Sequence, residues 1–402
     1  MDSPQRFSEL PDYAFPRLRA LLDGVPPGSD RPVEMTIGDP RHPPPAFVAE
    51  VVARHAGAFM SYPPNEGAPE LREAIARWLG RRYGYAADPE REVAVLNGTR
   101  EGLYNAAMAL VPERKAGGRP AVLMPNPFYQ VYAIASLSVD AEPVYVDATA
   151  ANGHLPDFGA LDPALLDRTA VAYVCSPANP QGAVASMGYW RDLLALAERH
   201  DFVVFADECY AEIYCADPPP GILQAVDAAG ADRERVVAFH SLSKRSNLAG
   251  LRSGFAVSGP GNVARMRKLS TYAGAPVPLP LQMAAAAAWD DEAHVVENRR
   301  LYAEKFVDAA VLLGGVDGVE VPQAGFFLWL PVPGGEGGEA AARRLWAEAG
   351  VMVLPGAYLA RDGAWGNPGT DRVRAALVAP RAEAVAGLRR IARHLYGKDG
   401  DE

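Results

Sequence analysis

Residues 235–259 read RVVAFHSLSKRSNLAGLRSGFAVSG. The runs RVVAFHS (235–241) and GFAVSG (254–259) are short, apolar and partly β-branched, and each stops at a turn signal. Such runs predict buried strands. The loop between them is polar and basic, and it contains Lys244 and Arg252. The stretch therefore predicts two strands of a covered sheet, with a basic loop at the edge of that sheet.

The same pattern extends toward the N-terminus. Four more apolar runs predict strands: PAVLMPNP (120–127), AEPVYVD (141–147), AVAYVCSP (170–177) and DFVVFADE (201–208). Helical stretches such as REGLYNAAMALV (100–111) and YWRDLLALAERH (189–200) lie between several of them. Strand–helix alternation with near-continuous apolar strands predicts an α/β fold whose mostly parallel sheet is covered by helices on both faces.

The pattern changes after about residue 291. A long helix (292–313), three strand-like runs (GFFLWLPV, GVMVLPG and RVRAALVA) and a closing helix predict a smaller α+β lobe. We therefore expect three parts. These are an N-terminal arm (1–45) that packs with the small domain, a large domain (46–290) and a small C-terminal domain (291–402).

The charge of the chain limits its partners. Asp and Glu number 49 against 39 Lys and Arg, which gives a net charge of −10. Nucleic acids and anionic membranes attract basic proteins, so neither is expected as the main partner. The uncharged stretch 269–289 is long enough to span a bilayer, but Pro276, Pro278 and Pro280 interrupt any helix there. We predict no membrane span.

The cysteines and histidines indicate neither disulfides nor a metal. Cys175, Cys209 and Cys215 form no CxxC pair, and the N-terminus does not resemble a secretory leader. A reducing cytoplasm is the expected location. The seven histidines lack metal-ligand spacing, so we predict no metal site.

Polar residues follow several of the predicted strands. Asn126, Asn179, Asp207 and Ser241 each come directly after an apolar run. In parallel sheets, ligands bind beyond the carboxyl ends of the strands. Asp207 fits either a structural ion pair or helix cap, or a carboxylate that keeps a heterocyclic nitrogen protonated. Asn179 fits either an ordinary Asn-Pro turn or a ligand contact.

The loop around Lys244 has two interpretations. One is a polar loop that faces solvent. The other is a reactive amine whose pKa is lowered by burial and by the neighbouring Arg245 and Arg252. Ser241, Ser243 and Arg252 carry donors suited to a phosphate.

A second phosphate cradle is predicted at Gly98 and Thr99. Their amides precede a predicted helix and suit an anion, although Thr99 also fits a simple helix cap. A phosphate anchor, a carboxylate for a ring nitrogen and a reactive lysine together point to pyridoxal 5′-phosphate (PLP).

These motifs resemble the class I and II aminotransferases among the fold-type I PLP enzymes. The resemblance runs from about residue 30 to the end. Its motifs come in the family's order: GDP (38–40), YPPNEGAPELREAI (62–75), NGTRE (97–101), NPFYQVY (126–132), SPANPQG (176–182), DECYAEIY (207–214), SLSKRSNLAGLRSGF (241–255) and RVRAAL (372–377). It implies a large domain with a mostly parallel seven-stranded sheet, plus a smaller α+β domain.

The resemblance also implies roles for single residues. Lys244 would bind the cofactor covalently and move a proton between the substrate Cα and cofactor C4′. Asp207 would pair with the ring nitrogen, and Asn179 and Tyr210 would contact the ring 3′-oxygen. Tyr129 matches the ring that stacks on the cofactor, although it also fits a core tyrosine.

The phosphate and the substrate have their own implied contacts. The phosphate would be held by Gly98, Thr99, Ser241, Ser243 and Arg252, and Arg100 would also contact the cofactor. Tyr62 matches a tyrosine that reaches the phosphate from the neighbouring subunit, so a homodimer with shared sites is implied. Arg374 would form a bidentate ion pair with the α-carboxylate of the substrate, and Asn179 and the Gly38 backbone would also contact the substrate.

Within the family, the chain is similar to bacterial succinyldiaminopimelate aminotransferases in NPFYQVY, HSLSKRSNLAGLRSGF, WDDEAHVVENRRLYAEKF and AGFFLWLP. The implied reaction is ping-pong transfer between glutamate and N-succinyl-2-amino-6-oxopimelate in lysine biosynthesis. TYAGAPVPLP (271–280) and YPPNEG (62–67) depart from that group where such enzymes shape the substrate pocket.

Three alternatives stay open at this point. One is transfer to another amino acid, as in an aspartate or broad-specificity enzyme. The second is a PLP-dependent carbon–sulfur β-lyase. The third is an aminotransferase-like effector domain of a regulator, which would need an attached DNA-binding domain.

Overall fold

The computed structural model of the chain describes residues 7, 13–363 and 366–398, so part of the predicted arm (1–45) lies outside the described residues. The described strands are β1 Val33–Glu34, β2 Val93–Leu96, β3 Ala121–Asn126, β4 Glu142–Asp147, β5 Thr169–Cys175, β6 Val203–Asp207, β7 Val236–Ser241, β8 Gly254–Ser258, β9 Phe327–Pro331, β10 Val351–Met352, β11 Leu354–Pro355 and β12 Arg372–Ala376. The described helices are α1 Ala14–Leu22, α2 Phe47–Arg54, α3 Pro69–Tyr83, α4 Thr99–Leu110, α5 Gln130–Ser138, α6 Pro163–Arg168, α7 Met187–His200, α8 Ile222–Ala229, α9 Leu242–Arg245, α10 Pro260–Ala273, α11 Leu279–Asp290, α12 Ala293–Leu313, α13 Gly338–Ala349 and α14 Arg381–Tyr396.

Seven strands form the central sheet, in the order β2-β8-β7-β6-β5-β3-β4. All neighbouring pairs are parallel except the two that involve β8, which runs antiparallel to both β7 and β2. All six strands predicted from apolar runs are present. The predicted α/β fold with a mostly parallel, seven-stranded sheet is thereby confirmed.

Alternate residues of each strand enter two different cores. On β6, Val204 and Ala206 pack with α3, α7, α8 and α11, whereas Phe205 packs on the opposite face with α4, α5 and α10. Successive side chains of a strand point to opposite faces. A strand that is apolar at every position is therefore buried on both sides, and this accounts for the continuous apolar runs in the sequence.

One edge of the sheet collects the polar residues that follow the strands. Ser241 at the end of β7 pairs with Gly254 at the start of β8, and Gly254 pairs in turn with Leu96 at the end of β2. Cys175 and Asp207 end the neighbouring strands β5 and β6 in register. The antiparallel direction of β8 thus places both ends of the 241–254 loop at this same edge.

A second core lies around β9, β12, α12, α13 and α14. Strands β11, β12 and β9 form an antiparallel sheet, and β1 pairs in parallel with β10. The segment around β1 therefore contacts the C-terminal part of the chain. The domain boundaries proposed from the sequence stay a prediction.

The uncharged stretch 269–289 does not form one helix. It contains the end of α10 and most of α11, and residues 274–278 separate the two helices. Among the described residues, no helix is long and apolar enough to cross a membrane.

Candidate active site

A cavity of about 470 Å³ opens at the polar edge of the central sheet. The predicted site residues that line it are Gly38, Thr99, Arg100, Tyr129, Asn179, Asp207, Tyr210, Ser241, Ser243, Lys244, Arg252 and Arg374. Residues from distant parts of the sequence thus meet in one space. Gly98 lies directly beside it, and Tyr62 does not line it.

The Lys244 side chain reaches into this cavity from the short helix α9. Its Nζ donates a hydrogen bond to the main-chain oxygen of Gly38 at 2.5 Å. Burial above all, together with Arg374 and Arg100, lowers the pKa of Lys244 to about 8, against the opposing effects of Cys209 and Asp39. A lysine with this pKa is deprotonated in part near neutrality, which a nucleophile or a base requires.

The cations that lower this pKa are Arg374 and Arg100, not Arg245 and Arg252 as the sequence suggested. The Arg245 side chain turns away from the cavity and is buried beneath α11. There it donates to the Ala288 carbonyl at 2.6 Å and pairs with Glu292 at 3.0 Å. Adjacent residues of a helix point in different directions, so Arg245 cannot face the same cavity as Lys244. The cations that lower the pKa of Lys244 therefore come from other parts of the chain.

Asp207 is a buried carboxylate that ends β6 and is only 5% exposed. The Tyr132 hydroxyl donates to its Oδ2 at 2.7 Å, and the Cys209 amide donates to its Oδ1 at 3.4 Å. No cation forms an ion pair with it among the described residues. Burial accordingly raises the pKa of Asp207. A carboxylate in this state is stabilised by a cationic partner that arrives from the cavity.

The predicted phosphate contacts form a cup of donors. The Ser243 amide donates to Ser241 Oγ at 3.1 Å, and the two hydroxyls are 3.0 Å apart. Thr99 opens helix α4, so its amide belongs to the first turn, whose N–H groups have no partner within the helix. Hydroxyls, free amides and the positive end of a helix together suit a dianion.

Arg252 closes this cup, and Gly98 makes room for it. A Cβ on Gly98 would lie 2.0 Å from Nη2 of Arg252, and the φ of Gly98 is +83°. The guanidinium donates to the carbonyls of Ala249 and Asn97 at 3.1 and 3.4 Å. A side chain at position 98 would be strained at this φ and would displace the Arg252 guanidinium, which explains the glycine directly before α4.

Arg374 lies on the opposite wall, on β12, and is 4% exposed. Its Nη1 donates to Asn179 Oδ1 at 3.0 Å and its Nη2 donates to the Thr36 carbonyl at 2.6 Å. Its Nε is buried and has no hydrogen-bond partner among the described residues. A buried guanidinium that contacts no carboxylate and keeps an unsatisfied N–H is ready to receive an anion from the cavity.

Comparison of the sequence with known protein families identifies the family of the chain. The sequence-family model "Aminotransferase class I and II" matches residues 31–391. The chain belongs to the class I and II aminotransferases. Enzymes of this family with this fold depend on PLP and act on amino and keto acids.

Curated relatives and solved structures agree with the family. The LL-diaminopimelate aminotransferases of Dehalococcoides mccartyi (strain 195) and Desulforudis audaxviator are 30% and 32% identical, and each alignment covers at least 96% of both chains. An aminotransferase structure from Neisseria meningitidis has a TM-score of 0.92 at 38% identity and covers 97% of this chain and 99% of its own. A structure titled probable N-succinyldiaminopimelate aminotransferase, from Thermus thermophilus, has a TM-score of 0.83 at 28% identity, with coverage of 95% and 100%.

The aminotransferase site fits the PLP cofactor on observations of its own. Asp207 is a buried acid that forms no ion pair within 4 Å among the described residues, and the cup around Ser241 is a set of hydrogen-bond donors suited to an anion. These two features face the same cavity, which Lys244 also enters. Asp207 suits the ring nitrogen of the cofactor, the cup suits its phosphate, and Lys244 suits its carbonyl carbon. The described residues include no cluster suited to a metal ion.

Three further predicted residues have definite positions. Tyr129 precedes α5, and its hydroxyl accepts a hydrogen bond from Arg100 Nε at 2.5 Å. The Tyr210 ring packs against Phe326 at 5.3 Å, and burial raises the pKa of Tyr210. Tyr62 is 100% exposed in the single chain and stands apart from the cavity. The structure thus brings the predicted residues together, except for Tyr62.

Two groups at this site were not predicted from the sequence. Tyr132, which bonds Asp207, follows Tyr129 by three positions in NPFYQVY, and this helical spacing is the signal that was available. Thr36 presents only its carbonyl to Arg374, and no sequence pattern marks a main-chain acceptor.

Proposed function

We propose that this aminotransferase exchanges an amino group between glutamate and a keto acid of the diaminopimelate type, with N-succinyl-2-amino-6-oxopimelate as the acceptor. The observation that supports the chemistry is the meeting of an amine, a carboxylate and a carboxylate-binding guanidinium in one cavity. These are Lys244, Asp207 and Arg374. Their arrangement suits proton transfer at the Cα of an amino acid.

We assign each residue a part in this reaction. Arg374 would bind the α-carboxylate through its fork of N–H groups, and Asn179 holds that fork in place. When bound, PLP supplies an electron-withdrawing ring that stabilises negative charge at the substrate Cα. Lys244 Nζ would take the proton from Cα, because its lowered pKa leaves part of it neutral. Asp207 would keep a proton on the facing ring nitrogen.

The charge of the cavity supports an acidic substrate. Four basic side chains line it, Arg100, Lys244, Arg252 and Arg374, against the acids Asp39 and Asp207. Arg100, whose Nε donates to the Tyr129 hydroxyl, adds its positive charge to this cavity. A succinylated acceptor adds a carboxylate and lacks the second free ammonium that LL-diaminopimelate carries. This difference favours the succinylated compound next to Arg100.

Half-reactions that are followed spectroscopically test the substrate. The PLP-loaded enzyme is mixed in turn with glutamate, N-succinyl-LL-diaminopimelate and LL-diaminopimelate, and the loss of its near-ultraviolet or visible band is timed. We expect the succinylated donor to react faster than the free diamine. The reverse order would favour the activity that the curated relatives are named for. Pyruvate release from a β-substituted amino acid without a keto acid would indicate a β-lyase.

We also propose that two copies share their active sites. Exposed apolar side chains near Tyr62 support this, because Met60 is 91% exposed and Phe59 is 56% exposed. A contiguous exposed apolar group is typical of an interface. Size-exclusion chromatography with light scattering tests the proposal, and a monomer with full activity would contradict it.

A further inference from the structure

A second buried lysine lies outside the cavity, on α12. Lys305 is 1% exposed, and no carboxylate pairs with it among the described residues. Its Nζ donates to the Leu377 carbonyl at 2.8 Å, lies 2.9 Å from His42 Nε2 and stands 4.6 Å above the Tyr302 ring. A buried amine without a counter-ion is costly, so its contacts call for an explanation.

The contacts of Lys305 continue to the backbone of the catalytic loop. His42 Nδ1 lies 3.1 Å from Oδ1 of Asn298. The Nδ2 of Asn298 donates to the main-chain carbonyls of Lys244 and Arg245, at 3.1 and 3.2 Å. Those carbonyls only accept, so the orientation of the Asn298 amide is fixed.

This orientation also fixes the tautomer of His42. Asn298 Oδ1 can only accept, so the proton of neutral His42 must be on Nδ1. Nε2 is then the acceptor for Lys305. Every hydrogen bond therefore runs in one direction, from the Lys305 amine through His42 and Asn298 to the Lys244 carbonyl.

This series of hydrogen bonds connects the groups that contact the main chain of Lys244 and its Nζ atom. Asn298 holds the main-chain carbonyl of Lys244. His42 belongs to the same short segment as Gly38, whose carbonyl accepts from Lys244 Nζ. A shift of His42 would therefore disturb the base and the tip of the Lys244 side chain together.

We propose that Lys305, His42 and Asn298 act as one positioning unit for Lys244, and that the unit requires His42 to be neutral. The proposal rests on the proposed role of Lys244. A second proton on His42 would place an N–H opposite the Lys305 amine, and a protonated amine has no lone pair to accept it, so this hydrogen bond would be lost. Other charged or titratable groups near this pair are Arg41, Asp39, Glu297 and Tyr302. Burial and Lys305 lower the pKa of His42, which keeps the ring neutral at ordinary pH.

Two variants and a matched control test the unit in the PLP-loaded enzyme. Lys305→Met removes the donor to His42. His42→Gln keeps an acceptor and a donor but cannot titrate. Lys115→Met is the control, because Lys115 is also held by main-chain carbonyls, those of Thr169, His200 and Asp201, far from α9. Each protein is titrated with acid and base while the cofactor absorbance and the single-turnover rate with glutamate are recorded, and the cofactor-free forms are melted.

We expect Lys305→Met to lower the maximal single-turnover rate about tenfold with little change in the glutamate concentration that gives half of it, and to move the midpoint of the absorbance titration. His42→Gln should keep the rate near neutral pH and lose the acid limb of the pH profile that His42 imposes. Lys115→Met should change only the melting temperature. An unchanged rate, midpoint and acid limb in both Lys305→Met and His42→Gln would overturn the unit. If Lys305→Met does not fold, His42→Gln with an unchanged acid limb would do so alone. Absence of a lysine-bound absorbance band in the unmodified enzyme would instead refute the role of Lys244.

Discussion

Replacing Lys244 with methionine should stabilise the cofactor-free protein, and the gain should depend on pH. Burial and neighbouring cations lower the pKa of Lys244 from 10.5 to about 8. The unfolded chain therefore binds more protons than the folded chain between these two values. The folded state bears the full cost of the lysine below about pH 8, and the cost disappears above about pH 10.5.

The size of the effect follows from the shift. A difference of about 2.5 units corresponds to about 3 kcal/mol, and partial exposure of the side chain to the cavity makes this an upper limit. Loss of the hydrogen bond to the Gly38 carbonyl offsets about 1 kcal/mol of it. Lys244→Met should thus be more stable than the unmodified protein by up to about 2 kcal/mol near pH 7. Near pH 10.5 it should have no advantage.

Urea denaturation followed by circular dichroism measures this difference at the two pH values. Lys268→Met is the matched control, because Lys268 is exposed on α10 and its replacement removes no buried amine. Parallel pH profiles of the free energy of unfolding for the unmodified protein and Lys244→Met would refute the reasoning.

Other substitutions probe the rest of the aminotransferase site. Asp207→Asn should slow single-turnover loss of the substrate Cα proton by roughly 100-fold while cofactor affinity changes less, and a pure affinity loss would contradict its role. Gly98→Ala should weaken PLP binding about tenfold or more, as equilibrium dialysis would measure, because its Cβ would meet Arg252. Gly117→Ala is its control, because Gly117 has a similar positive φ but open space around it, and equal losses of binding would exclude the clash. Tyr62→Phe should shorten cofactor retention in a dimer, and retention equal to that of the unmodified dimer would exclude a shared site.

The sequence predicted most of the central sheet because its strands are buried on both faces. β2 was not predicted, because it has only four residues and two of them are half-buried. It is also the outermost strand at one edge of the sheet. The antiparallel direction of β8 was also hidden, because an apolar run has no direction. These features depend on pairing between distant segments, which a local pattern does not record.

The candidate site, like the sheet, was predicted only in part from the sequence. Residues within motifs, such as Ser241 and Asp207, line the cavity as expected. The prediction of which cations lower the pKa of Lys244 was wrong. Arg374 and Arg100 lower it from remote segments of the sequence, while the adjacent Arg245 turns away from the cavity. Adjacent residues on a one-turn helix do not share a face, so closeness in sequence does not show which charged groups shift the pKa of Lys244.

A stretch of three residues touches both working ends of the cavity. The Thr36 carbonyl binds Arg374 and the Gly38 carbonyl binds Lys244. An incoming carboxylate must share Arg374 with the Thr36 carbonyl. A shift of Thr36 on binding would also move Gly38, so carboxylate binding and the hydrogen bond of the Lys244 amine are coupled through this segment. Engineers who graft this stretch from a relative will alter recognition and reactivity at once, and will be unable to tune either one separately.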